Sequence, residues 1–302
     1  MERTESMSAA AVATRAAPRP RVRSTPLGDA WRRYRRNRLA MVGLVIAGLI
    51  LFTAAFAPLL APAPYDYADI SQILKPPGNG HLLGTDEVGR DLLSRLIYGA
   101  RTSMTVGLLV PLIGTMIGLV LGGAAGWFGG KIDFIVLRMI EAMTAIPPLI
   151  IALLLISIYG SGLDHLILYL GLTGWVGVTR LTRAQFLALR DREFVTAARA
   201  IGTPAWRIML QHLLPNAAGP IIVVFVLGIP SAVFGEAGLS FLGLGVQDPI
   251  PSWGKMISQS APYMQQDPLL GLLPVLGIAL TMLSFSFVGD GLRDALDPNA
   301  LE

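Results

Sequence analysis

"EFVTAARAIGTPAWRIMLQHLLPN", Glu193–Asn216, separates two apolar segments of a chain that is otherwise short of charge. It sets two adjacent alanines ahead of a glycine and a proline, with arginines in both halves. Asp191 is placed to cap a helix here, and Glu193 suits the first turn, where a carboxylate meets the positive end of the dipole. Phe194, Ala197, Ala198 and Ile201 recur at helical spacing and predict one apolar stripe. Gly202 follows as the residue able to stop that helix in the left-handed conformation. Thr203 then caps a second helix with Pro204 at its first position, carrying Trp206, Arg207, Ile208 and Leu210 and ending near Pro215. The expectation is two short helices fixed at a glycine elbow, at the mouth of the apolar segment beyond. That geometry fits two uses equally. The alanines offer a flat face to a partner protein beside Trp206, Arg207 and Ile208, or the pair lies on lipid headgroups as an amphipathic hairpin.

The surrounding composition is that of an integral membrane protein. Of 302 residues, 53% are hydrophobic and 15% charged, where soluble domains carry about 25% charged residues. Six stretches are long enough to cross roughly 30 Å of hydrocarbon as helices. They are Leu39–Leu60, Ser103–Phe128, Ile132–Tyr159, Leu163–Leu181, Ala217–Phe234 and Leu269–Val288. Residues 1–38 form a basic tail with a juxtamembrane helix, and 39–302 a single transmembrane domain. Residues before Thr25 are expected to be disordered. An arginine-rich start can be a targeting peptide, but the apolar run after Arg38 is about 22 residues. It exceeds the roughly 7–15 of a signal sequence and reads as a retained span.

Charge sets the orientation. Ten arginines lie in the first 38 residues, and alternating the loops from there puts 19 of the 24 basic residues on one side. Lys75, Arg90, Arg95, Arg101 and Lys255 remain on the other. The positive-inside rule therefore predicts both termini, and the opening stretch, in the cytoplasm.

Inside the spans, Gly107, Gly114, Gly118, Gly122 and Gly126 place small residues on one face, the usual means of close helix approach in lipid. They serve packing within the chain or against a second membrane subunit. Arg138 and Glu141 stand one helical turn apart and pair at the cytoplasmic edge. Pro147 and Pro148 kink the third span. Glu236 sits near the outer end of the fifth, and no acid is central, which disfavours an ion-coupled transporter. The chain has no cysteine, and His81, His165 and His212 are scattered, so no metal site is expected. No phosphate-binding loop, H-E-x-x-H or G-x-S-x-G sequence is present, so no catalytic residue is proposed. The basic residues make no long face for nucleic acid.

"EFVTAARAIG" followed by "HLLPN" resembles the EAA loop of ABC-importer permeases, a Glu-Ala-Ala with a spaced Gly and an apolar Leu-Pro end. Ala197, Ala198, Gly202, Leu214 and Pro215 match. The leading Glu of the pattern falls at Thr196, which leaves its contact open, and the nearest acid is Glu193, one turn earlier. "HLLGTDEVGRDLLSRLIYGARTSM" (His81–Met104), "GEAGLSFLGLGVQDPIPSWGKMI" (Gly235–Ile257) and "GDGLRDALDP" (Gly289–Pro298) resemble segments of the dipeptide/oligopeptide/nickel permeases, C-type member.

The resemblance implies a type I ABC importer permease fold, all-α with six transmembrane helices, in a bacterial or archaeal cytoplasmic membrane. It implies a homologous B-type permease subunit, two cytoplasmic ATPase subunits and an extracytoplasmic substrate-binding protein that delivers peptide. ATP and magnesium belong to those ATPases, and this chain needs no cofactor. In the cytoplasmic loop 183–215, Glu193, Ala197, Ala198, Gly202, Thr203, Pro204, Trp206, Arg207 and Ile208 are the implied ATPase contacts. Gly114, Gly118 and Gly122 remain packing residues. Nickel or haem import by a member of the same family is the alternative, and a stand-alone transporter or channel a more distant one. The sequence names no residue of the substrate path. The outer segments read as an interfacial helix at Leu92, Leu93, Leu96 and Ile97, and as a re-entrant or interfacial loop near Trp253.

Overall fold

The computed structural model describes residues 26–78 and 80–296. The segment before Thr25 predicted to be disordered lies outside the described residues, as do Asp297 and Pro298 of the C-terminal motif. The described chain is helical, with no β-strand. The helices are α1 (Pro26–Tyr34), α2 (Arg38–Ala55), α3 (Ala57–Leu60), α4 (Leu92–Phe128), α5 (Gly130–Ala145) and α6 (Pro148–Tyr159). There follow α7 (Leu163–Thr173), α8 (Trp175–Leu189), α9 (Glu193–Ala200), α10 (Ala205–Ile208), α11 (Leu214–Phe241), α12 (Trp253–Ser260) and α13 (Leu269–Leu296).

Four helical runs are long and apolar enough to cross a membrane: α2, α4, α13 and the 37-residue run Ala205–Phe241. The pair α5 and α6 adds a fifth if it is one span, for the two are bent by 84°. The predicted span Ile132–Tyr159 is thus no straight helix. Ile146 is extended (φ −100, ψ 128) because the ring of Pro147 crowds it out of the helical region. The predicted span Leu163–Leu181 divides at Gly174 into α7 and α8, neither long enough alone. The span predicted from Ser103 begins earlier. Leu92 already lies in α4, whose N-terminus Asp91 caps by accepting from the Ser94 amide at 2.8 Å. Leu92, Leu93, Leu96 and Ile97, expected as an interfacial helix leading into this span, are its first turns.

α4 is the central element and packs along α2, α5, α7, α8 and α11. Its glycines set the spacing to α8. A Cβ on Gly118 would meet the Val178 Cβ at 2.6 Å, and one on Gly126 the Phe186 Cβ at 2.7 Å. At Gly114 it would stand 3.2 Å from the carbonyl carbon of Gly174, so two glycines meet where α7 passes into α8. Gly107 departs from this face and approaches Val233 of α11 instead, at 2.8 Å by the same measure. On the far side, Gly43 of α2 lies against the Ser284 carbonyl of α13.

The two ends of the bundle differ. At one end, Tyr34 of α1 packs on Gly291 of α13, and Leu296 closes on Gly219 at the start of α11. At the other, residues 61–78 and 80–91 run up to the start of α4, where the Ala63 amide donates to Ser94 Oγ at 3.0 Å, and α12 is tucked inward. Trp253 is buried, its indole Nε1 donates to the Leu96 carbonyl at 3.1 Å, and its amide donates to Ser103 Oγ at 3.3 Å.

Candidate functional site

α9 stops at Gly202, whose φ is +77. The Gly202 amide donates to the Arg199 carbonyl at 2.9 Å and the Thr203 amide to the Ala198 carbonyl at 3.1 Å. This pair of bonds is a Schellman stop, which needs a left-handed residue and is least strained as glycine. The capping expected around the two helices is different. Arg192, not Asp191, is the N-cap of α9, and no side chain accepts its end amides. Pro204, not Thr203, precedes α10, again without a side-chain cap. The Thr203 amide belongs to the stop behind it.

The predicted apolar stripe is split. Val195 and Ala198 face inward, against Phe186, Ile208, Leu213, Ala217 and Ile221. Phe194, Ala197 and Ile201 face outward. Consecutive helical residues point about 100° apart, so Ala197 and Ala198 cannot share the flat face expected of them. Ile208 is 1% exposed, so it holds the elbow from beneath and offers no surface to a partner. Ile201 is 83% and Trp206 58% exposed, and Leu210 is exposed beside them. The Arg207 guanidinium lies over the Trp206 ring, 5.4 Å from its centroid. Glu193 and Thr196 are also exposed, and the Thr196 hydroxyl bonds back to the Arg192 carbonyl at 3.3 Å.

The second arm does not end near Pro215. α10 passes through a π turn, Met209–Leu213, directly into α11. There the Leu214 amide reaches back to the Met209 carbonyl, a wider step that accommodates Pro215, which has no amide to donate. The elbow is therefore continuous with a membrane-length helix.

Three contacts around it join residues far apart in sequence, and of the three the one at Arg199 involves the elbow itself. Arg183 of α8 donates from Nη2 to Asp133 Oδ2 of α5 at 2.7 Å, with its Nε on Oδ1. The Arg199 guanidinium stacks 4.4 Å from the centroid of Trp127. Arg190 Nη1 donates to the Gly126 carbonyl at 3.4 Å. Sequence reading missed these contacts, because partners so far apart in the chain leave no local signal. Arg138 and Glu141 do pair, at 2.6 Å, but both are more than half exposed, where an ion pair contributes little.

At the opposite end of the bundle a charge belt ties residues 86–95 to residues 248–259. Asp86 accepts from Arg90 Nε at 2.6 Å and lies 3.1 Å from Arg95 Nε. Arg90 also meets Glu87 at 3.0 Å, and Arg95 Nη2 donates to Gln259 Oε1 at 2.9 Å. Lys255 and Asp248 form an ion pair at 3.1 Å. Burial, with Asp86 adding to it, pushes the Glu87 carboxyl above the usual range. Burial also works to raise Asp248, but Lys255, Gln259 and Arg90 outweigh it and hold that carboxyl below its ordinary value. Glu236, fully buried, joins α11 to α4 by accepting from Ser240 Oγ at 2.6 Å and Ser103 Oγ at 3.3 Å. Among the described residues no group of acids and histidines is arranged to hold a metal.

This architecture has known counterparts. Residues 114–301 match the family described as binding-protein-dependent transport system inner membrane component, and residues 25–77 match the N-terminal TM domain of oligopeptide transport permease C. The chain is 43% identical over 271 residues to the dipeptide transport system permease protein DppC of Bacillus subtilis (strain 168), covering 89% of this chain and 85% of that one. It is 40% identical over 270 residues to the oligopeptide transport system permease protein OppC of the same organism, covering 89% and 88%. It is likewise 40% identical to the di/tripeptide transport system permease protein DppC of Pseudomonas aeruginosa (strain UCBPP-PA14), covering 91% and 92%. A solved chain of the MetNI methionine ABC transporter, in an inward-facing conformation, shares the fold with a TM-score of 0.57. It is 18% identical and covers 68% of this chain and 98% of its own. The chain is a multi-pass permease subunit that belongs to the binding-protein-dependent transport family, in the branch of the C-type permeases of peptide systems.

Proposed function

We propose that this chain is half of the translocation pathway of an ATP-driven peptide importer in the bacterial or archaeal cytoplasmic membrane. Its partners are a homologous B-type subunit, two cytoplasmic ATPases that hold ATP and magnesium, and an extracytoplasmic binding protein. Peptide is the substrate class because the relatives at about 40% identity carry peptide, dipeptide or oligopeptide transport in their names. The chain itself hydrolyses nothing.

The observation that carries the coupling role is the elbow. An exposed apolar and cationic edge, Ile201, Trp206, Arg207 and Leu210, stands at the head of the continuous run Ala205–Phe241. A push on that edge moves a membrane helix with no loop to absorb it. Glu193, Ala197, Gly202, Thr203 and Pro204 complete the docking surface, while Ala198 and Ile208 stiffen it from inside.

We read six crossings, with α5 and α6 as one broken span and α7 and α8 as another. Both termini are cytoplasmic in this reading. Its supports are the basic excess on one side and the packing of α1, Leu296 and the α11 entry at one end of the bundle. The experiment is purification of the chain from native membranes, followed by peptide-uptake measurement in a deletion strain. An ATPase that co-purifies, and uptake lost with the chain, support the proposal. Recovery without an ATPase, with peptide uptake intact, overturns it.

A further inference from the structure

We propose that α1, with the turn that leads from it into α2, is a docking site for the phosphate headgroup of an anionic lipid. The site lies apart from the coupling elbow and does not depend on what the importer carries.

Four observations converge on it. The first is position. Only Arg35, Arg36 and Asn37 separate Tyr34, the end of α1, from Arg38, the start of α2. A fully extended linker of that length spans about 10 Å, so α1 stays at the membrane surface from which α2 enters. The second is rigidity. Tyr34 is buried, and its hydroxyl donates to the Ala40 carbonyl at 3.1 Å. Asn37 Oδ1 caps α2 by accepting from the Ala40 amide, also at 3.1 Å. Gly291 of α13 leaves no room for a side chain, since its Cβ would lie 2.3 Å from the Ala40 Cβ and 2.9 Å from the Tyr34 ring. The corner made by α1, α2 and α13 is therefore prefolded.

The third is what that corner presents. Trp31 is 51% exposed and stacks on Tyr34 with ring centroids 5.8 Å apart. Trp31, Arg32, Arg35 and Arg36, with Gly28, line an open recess. An exposed indole beside guanidinium groups is the pattern of side chains that settle at the headgroup level. The fourth is charge. Residues 26–38 contain five arginines and one acid, Asp29. Guanidinium forks recognise phosphate oxygens in two-point fashion. A phosphate in the recess sits beside apolar surface that acyl chains cover. These features fit a lipid phosphate better than a free one.

The test uses the purified permease complex, full chain, in mixed micelles of phosphatidylcholine and phosphatidylglycerol, with retained lipid counted by native mass spectrometry. Wild type retains phosphatidylglycerol in preference to phosphatidylcholine. The triple variant R32Q/R35Q/R36Q needs on the order of a hundredfold more phosphatidylglycerol for the same occupancy, from about 1 kcal/mol per removed surface charge. A charge-matched control, K131Q/R180Q/R192Q, which leaves α1 and the docking edge of the elbow intact, retains the lipid as wild type does. Three results overturn the proposal: equal retention of both lipids by wild type, undiminished retention in the triple variant, or an equal loss in the control. Displacement of the lipid by millimolar inorganic phosphate alone also overturns it, since the site then reads only a free anion.

Discussion

The Thr203 amide reaches across Gly202 to the Ala198 carbonyl at 3.1 Å. That bond exists because Gly202 sits at φ +77, and a Cβ there would meet nothing within 4 Å. The requirement for glycine is thus a matter of backbone conformation and not of crowding. A side chain at such a φ costs roughly 1–2 kcal/mol, more for a β-branched residue, while asparagine tolerates it. Gly202→Val is expected to lower peptide uptake while ATP hydrolysis continues, with normal insertion of the chain. Gly202→Asn is expected to stay near wild type. Paired uptake and ATPase assays in reconstituted vesicles check this, and equal behaviour of the two variants contradicts it.

Gly122 allows the closest approach of α4 and α8. A Cβ there would stand 2.5 Å from the Thr179 carbonyl oxygen and 2.8 Å from the Thr182 Cβ. Gly122→Ala is expected to destabilise the bundle by about 1–3 kcal/mol through overpacking. Gly177→Ala, at a helical position with nothing within 4 Å, is expected to be neutral or to stabilise by up to about 1 kcal/mol. Thermal unfolding of the two variants in detergent separates them.

Arg183 and Asp133 join α8 to α5 by two charge-assisted bonds, with each side chain largely shielded. Arg183→Gln and Asp133→Asn are each expected to destabilise, and the double variant to lose less than their sum. The coupling energy from the double-mutant cycle is expected on the order of 1–3 kcal/mol. Additive losses would mean that the two groups do not act as a pair.

Asp248 gives the charge belt an acid limit. Its folded carboxyl titrates below its unfolded value, which is about 3.9. The stabilisation is therefore complete above the unfolded value and is lost as pH falls through the folded one. Wild type is expected to be more stable than Asp248→Asn at neutral pH, with the gap closing as pH drops below about 4. A gap that persists unchanged to acid would refute the assignment. The carboxyl is well exposed, so the effect is small.

Much of this was legible from the sequence, and the misses have physical causes. Gly202 as a helix stop followed from its place after an apolar repeat. The direction of Ala198 and Ile208 did not, because a stripe of small and apolar residues has no sign until its neighbours are known. Pro147 and Pro148 announced a bend but not one of 84°, since its size depends on what the two arms pack against. Gly174 looked like any glycine in a span, and its partner Gly114 is far away in sequence. The ion pair of Arg183 and Asp133, and the belt of Arg95, Gln259, Asp248 and Lys255, join distant segments and leave no local trace.

In the proposed assembly the outward edge of the elbow meets an ATPase subunit. The chain has no cysteine, so single cysteines at Trp206 and Ile208 can be crosslinked without background from it. Trp206→Cys is expected to crosslink to the ATPase in membranes, while Ile208→Cys, buried beneath the elbow, is not. No crosslink from position 206, or equal crosslinking from both, would contradict it.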